Sequence, residues 1–172
     1  MQSSSSRNLW LDFFRKKADP STNIRNALKS NILFETLSRR ELDYLSSVIY
    51  ERVYNPGEVI FEQGDRGFGM YVIAQGKVAI RTQSKEGETL LTTLSDGSFF
   101  GELSLIETEN IRSASATALD RCLLIGFFKP DLTEILERKP AMGVKILYQL
   151  AFVLGRRLIE SNGRLTQRSP YA

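Results

Sequence analysis

From Arg52 to Phe128 the apolar residues follow a two-residue period, and turn signals interrupt them about every ten residues. Val59 and Phe61 alternate with Ile60 and Glu62, and Tyr71, Ile73, Val78 and Ile80 continue the pattern. Turns are expected at Pro56-Gly57, Gly64-Asp65, Gln75-Gly76, Glu86-Gly87 and Asp96-Gly97. Strands this short satisfy their backbone groups only by pairing with one another, so the middle of the chain must close as a β-sandwich, barrel or roll. A last strand region is expected from Ala114 to Phe128.

Helical patterns flank this region. Ser3 to Ser6 is a short low-complexity start. Asn8 to Lys17 reads as an amphipathic helix with Trp10, Phe13 and Phe14 on one side, broken by Asp19-Pro20-Ser21. Its apolar stripe is expected to dock on protein; Arg15, Lys16 and Lys17 leave a membrane surface as the less favoured alternative. A second helical segment follows through Ile24, Leu28 and Ile32. Ser38-Arg39-Arg40-Glu41 is a capping box that opens a helix with Leu42, Leu45, Val48 and Ile49 on its stripe. Pro130 and Pro140 each suit a first helical position.

From Ala141 to Gly155 only Lys145 and Gln149 break an apolar run, so this helix needs cover on more than one side. Met142, Ile146, Leu150 and Val153 suit the chain's own core. Val144, Leu147, Ala151, Leu154 and Leu158 step by three and four, which suits the same helix of a second subunit and a homodimer through residues 144–158. Packing of both stripes within one chain is the competing reading. Helices, then short strands, then helices make an α+β domain.

Composition removes several classes of function. The chain has no histidine, which excludes His-based triads and most zinc or iron sites and weighs against a metal-binding β-roll enzyme. Its one cysteine, Cys122, sits in an apolar run and reads as an inert core thiol. The net charge of +3 is uneven: residues 1–17 and 156–172 are basic and the stretch between them is acidic, which does not describe a DNA-binding core. The polar start leads to no cleavage site, and no apolar run nears the length of a membrane span, so a cytoplasmic protein is expected.

The stretch that carries chemistry is Phe100-Gly101-Glu102-Leu103-Ser104-Leu105, followed by Arg112-Ser113-Ala114. A cyclic phosphodiester needs backbone N–H donors at a helix start and a guanidinium. Gly101 lets the backbone approach, Glu102 to Glu107 can form one short helix, and Arg112 can supply a bidentate fork. A carboxylate beside a phosphate would repel it, so Glu102 suits a neighbouring hydroxyl donor. An ordinary ion pair between Glu102 and Arg112 is the alternative.

Three segments resemble the cyclic-nucleotide-binding domain family of the bacterial catabolite activator and of the regulatory subunits of cyclic-AMP-dependent kinase. They are Pro56 to Asp65, Met70 to Val78 and Gly101 to Ala114, in the order and spacing of that family; the ten-residue step from Glu102 to Arg112 matches its bacterial branch. The resemblance covers roughly residues 30–163. It implies an eight-stranded antiparallel β-roll, of double-stranded β-helix or jelly-roll type, flanked by N-terminal helices and a long C-terminal helix. On that division residues 1–29 are an N-terminal extension and 164–172 a tail.

The same resemblance assigns roles. Arg112 would clamp the cyclic phosphate and Glu102 the ribose 2′-hydroxyl. Gly101, Leu103 and Ser104 would offer backbone groups, Ser113 a hydroxyl, and Ala114 closes the segment. Ile80 and Leu91 would wall the base, with plain core packing equally open. Ser161 and Asn162 fall where the activator's last helix meets adenine, against the reading of a solvated helix end. The chain leaves no room for a helix-turn-helix after the last helix, so no DNA contact is expected, and output would pass to an unidentified protein partner or a dimer. A cyclic AMP sensor without catalytic activity or cofactor is therefore expected, with cyclic GMP open as ligand. The alternative is a nucleotide-free docking or dimerisation module of the same fold.

Overall fold

The structure, a computed structural model, describes residues 22–107, 109 and 111–167. The expected helix bearing Trp10, Phe13 and Phe14 lies outside them. Helices α1 (Thr22–Ser30) and α2 (Arg39–Val48) precede eight strands. These are β1 (Tyr50–Tyr54), β2 (Val59–Phe61), β3 (Gly69–Gln75), β4 (Val78–Ser84), β5 (Gly87–Leu94), β6 (Phe99–Phe100), β7 (Ser115–Ala118) and β8 (Cys122–Phe128). A short 3₁₀ helix (Glu102–Leu105) follows β6, and α3 (Lys129–Arg138) and α4 (Pro140–Gln167) follow β8.

The strands form two antiparallel four-stranded sheets, ordered β1-β8-β3-β6 and β2-β7-β4-β5. β3 and β8 are covered on both faces, which is why each reads as an almost unbroken apolar run. Tyr71, Ile73, Cys122 and Leu124 point into the roll, while Met70, Val72, Ile125 and Phe127 point to the helices. Phe34 meets the edge of Phe127 with ring centroids 5.9 Å apart and fixes the helical layer on that face.

The expected strand region from Ala114 to Phe128 holds two strands, β7 and β8, in different sheets. The chain turns at Leu119-Asp120-Arg121, which contains neither glycine nor proline. Asp120 Oδ1 accepts the Lys77 N–H at 2.7 Å, so the turn is made by a contact with the β3–β4 corner and not by local turn chemistry. α1 also stops short of Ile32, at Ser30. The buried Asn31 side chain accepts the Leu33 N–H at 3.0 Å and donates to the Gly97 carbonyl at 2.9 Å, diverting the backbone from the helix.

The capping box forms as expected. Glu41 N–H donates to Ser38 Oγ and Ser38 N–H donates to Glu41 Oε2. The same Glu41 carboxylate receives Lys145 Nζ at 2.9 and 3.0 Å, tying α2 to α4.

α4 buries Met142, Ile146, Leu150 and Val153 in the chain's own core. The second stripe is divided between core and surface, with Val144 and Leu158 each 62% exposed. That stripe is also rotated from its expected position: Leu147 and Leu154 are partly covered by the core. The open apolar face is centred on Val144, Tyr148 and Ile159, the last two 73% and 72% exposed. No helix among the described residues is long and apolar enough to cross a membrane.

Candidate functional site

After β6 the backbone enters the left-handed region at Gly101 (φ 76°, ψ 14°), a conformation that favours glycine. The expected helix from Glu102 to Glu107 is shorter, a 3₁₀ turn ending at Leu105. It holds Glu102 and Ser104 inward, both buried. Arg112 is pinned by its backbone to the β2–β3 turn: its N–H donates to the Asp65 carbonyl at 2.8 Å, and its carbonyl accepts the Gly64 N–H at 2.9 Å. The two halves of the motif thus meet through a third segment, Gly64-Asp65, that belongs to the expected turn after β2.

Arg112 as a whole is only 6% exposed. Its Nη1 donates to the Gly101 carbonyl at 3.0 Å and to Ser104 Oγ at 2.9 Å. Its Cζ lies 4.0 Å from the centroid of the Phe61 ring. No carboxylate among the described residues is within ion-pair distance of it, and its buried Nε has no hydrogen-bond partner among them. Burial pulls this guanidinium below the usual arginine range, opposed by the more distant Tyr71, Asp65 and Glu102.

The alternative of a Glu102–Arg112 ion pair is therefore overturned. Glu102 instead accepts from Arg157 Nη1 of α4. Arg157 also donates to the Phe99 carbonyl at 3.3 Å and lies over the Phe99 ring, 4.7 Å from its centroid. Arg157 stands outside the expected site; its long side chain crosses to the roll, and no local pattern announces that.

A cavity of about 620 Å³ opens beside these groups. Gly101, Glu102, Leu103 and Ser104 line one side, and Arg112, Ser113 and Ala114 another. Ile80 and Leu91 line it from β4 and β5. Ile80 pairs with Thr92 and Arg81 with Leu90, so Leu91 is the extra residue of a β-bulge. Bulges re-aim side chains, and here the bulged residue is one that lines the cavity. Ser161 lines it from α4, whereas Asn162 is exposed and is not in the lining. The structure thus brings together every expected site residue except Asn162.

Phe61, Gly67 and Arg157 were not singled out for the site. A Cβ on Gly67 would collide with Ser104 Oγ and stand 2.7 Å from Arg112 Nε and Cζ, so glycine leaves the space that the guanidinium fills.

A desolvated guanidinium in the cavity wall with no carboxylate at ion-pair distance among the described residues fits an anion, and a buried carboxylate in the same wall fits a hydroxyl. Comparison with known proteins agrees. Residues 51–139 match the family described as cyclic nucleotide-binding domain. The chain is 38% identical over 136 residues to the cyclic AMP receptor protein of Thermus thermophilus, covering 78% of this chain and 61% of that protein. It is 34% identical over 122 residues to the cAMP-dependent protein kinase regulatory subunit of Schizosaccharomyces pombe, covering 64% of this chain and 28% of that one. The crystal structure of the Thermus thermophilus catabolite activator protein superposes with a TM-score of 0.73 at 36% identity, covering 81% of this chain and 63% of that chain. This chain belongs to the cyclic nucleotide-binding domain family, a family of non-catalytic sensors.

Proposed function

We propose that the chain binds cyclic AMP in the cavity beside Arg112 and signals the binding through α4; cyclic GMP is the second ligand of the same reading. The observation that carries it is the buried Arg112 cation, with no carboxylate at ion-pair distance among the described residues and an unpartnered Nε. Burying an unpaired charge is unfavourable, and a cyclic phosphate would supply the missing partner. Ser113 would add a hydroxyl to the phosphate or, with cyclic GMP, to the base. Glu102 would accept from the ribose 2′-hydroxyl, and Ile80 and Leu91 would hold the base, with Ser161 at its far edge.

Output follows from the same geometry. Glu102 is already joined to Arg157, so filling the ribose position alters a contact of α4. A ligand shifts α4 only by its differential affinity for two positions, commonly about 1–3 kcal/mol. The open face of α4 suits a second copy or another protein as the receiver, in the cytoplasm.

Calorimetric titration of nucleotide-stripped protein with both nucleotides tests the reading. Micromolar or tighter binding is expected, and at 100 times the dissociation constant the fold gains about 2.7 kcal/mol. A melting temperature unmoved by millimolar amounts of either nucleotide would replace the sensor with the docking module.

A further inference from the structure

The Arg112 guanidinium has a hydrogen-bonded side and a stacked side. Nη1 is held by the Gly101 carbonyl and Ser104 Oγ. The stacked side lies on the Phe61 ring of β2. Phe61 does not stand alone: its centroid is 5.8 Å from that of Phe100 and 6.2 Å from that of Tyr71, and Phe100 and Tyr71 stack at 5.6 Å. Phe61 therefore rests on two rings, Phe100 and Tyr71, that are buried in the roll.

This arrangement answers a physical difficulty. A guanidinium removed from water without a carboxylate partner would be expected to swing out into the open cavity. Two hydrogen bonds at a single nitrogen fix one end of the fork and leave rotation about that end. The face of an aromatic ring attracts a cation and sets the plane of a guanidinium lying over it. Such a floor compensates part of the lost hydration of a guanidinium that lines the cavity.

We propose that Phe61 is a positioning residue for anion recognition: its ring face holds the Arg112 guanidinium in place in the cavity wall, where an anion would meet it. The inference rests on the reading of Arg112 as the phosphate clamp. It adds a specific demand, that an aromatic face is required at position 61 and an apolar side chain of similar volume does not suffice.

Two measurements test it. The first needs no nucleotide: in the ligand-free protein the Arg112 side-chain NMR resonances should be shifted upfield by the Phe61 ring current. The shift should persist in Phe61→Tyr and vanish in Phe61→Met. The second is titration with cyclic AMP. Phe61→Met should weaken binding about tenfold or more, the size of one desolvated cation–π contact, and Phe61→Tyr should restore most of it. In an Arg112→Lys background Phe61→Met should cost less than about twofold, because a residue acting through the guanidinium has nothing left to orient.

Unshifted Arg112 resonances in the wild type overturn the proposal, as does a Phe61→Met protein that binds like wild type. Equal losses from Phe61→Met with and without Arg112 also overturn it, since they mark Phe61 as ordinary packing. A wild type that binds neither nucleotide defeats the sensor reading alone, and the ring-current shift then decides the role of Phe61 by itself.

Discussion

Arg157, on the long C-terminal helix, donates a hydrogen bond to Glu102, on the 3₁₀ turn of the site, across 55 residues of sequence. Glu102 is 7% exposed at its side chain and Arg157 43%. The pair therefore joins the wall of the cavity to the element that leaves it, and each member depends on it differently. Glu102 has little access to water, whereas Arg157 can be solvated without it.

Arg157→Ala should leave the Glu102 carboxylate buried without that partner. Losing one member of a fully buried pair costs about 3–5 kcal/mol, and the exposure of Arg157 discounts this to about 1–2 kcal/mol. Chemical denaturation of the ligand-free protein measures it. Amide exchange in the last turns of α4 should accelerate in the same variant, and an unchanged exchange rate would mean that the pair does not hold the helix.

Arg112→Ala should nearly abolish cyclic AMP binding while the fold survives. Removing one member of a buried charge pair costs about 2–5 kcal/mol, or roughly a 30-fold to several-thousand-fold loss of affinity. Glu102→Ala should cost less, because its ligand partner is a neutral hydroxyl. Titration calorimetry gives both numbers, and near-zero effects of both changes would place the ligand elsewhere.

The open face of α4 should mediate a two-fold dimer. Tyr148→Glu with Ile159→Glu puts charge at two of its most exposed positions and should yield monomers that still bind nucleotide. Leu147 and Leu154 are poorer choices, since both pack partly on the chain's own core. Light scattering decides it: a wild type that is monomeric at tens of micromolar, with and without ligand, rules the dimer out.

Asp131 in the first turn of α3 should make stability depend on pH. Burial pushes its carboxyl from 3.8 up to about 6, opposed by the hydrogen bond from Phe128 N–H and assisted by nearby Glu134. A raised carboxyl binds its proton more tightly in the folded state, so its contribution grows as pH falls through 6 and is complete below 3.8. It is lost as pH rises through 6. Asp131→Asn keeps an acceptor for Phe128 N–H without the charge and should be the more stable protein at pH 7.5, by about 1–2 kcal/mol after allowance for partial exposure. The gap should narrow toward pH 5 in denaturation curves; a gap independent of pH would refute the assignment.

Much of this molecule is local and could be read without coordinates. The glycines at 57, 64, 76, 87 and 97 all have positive φ, because turn geometry needs only a few adjacent residues. The capping box of α2 is local for the same reason, and the order and spacing of the motif residues carried the fold and the part of the cavity wall formed by Gly101 to Ser104 and Arg112 to Ala114. Other features depend on segments far apart in sequence. Asp120 turns the chain only because Lys77 lies beside it, and the bulge at Leu91 arises from its pairing with β4. The partner of Glu102 is a side chain on a helix that packs against it only after folding. Phe61 showed itself in sequence as one apolar residue of an alternating strand. Its place beneath a buried cation was decided by the closure of the roll, since periodicity states which face a side chain takes and not which charge it will meet there.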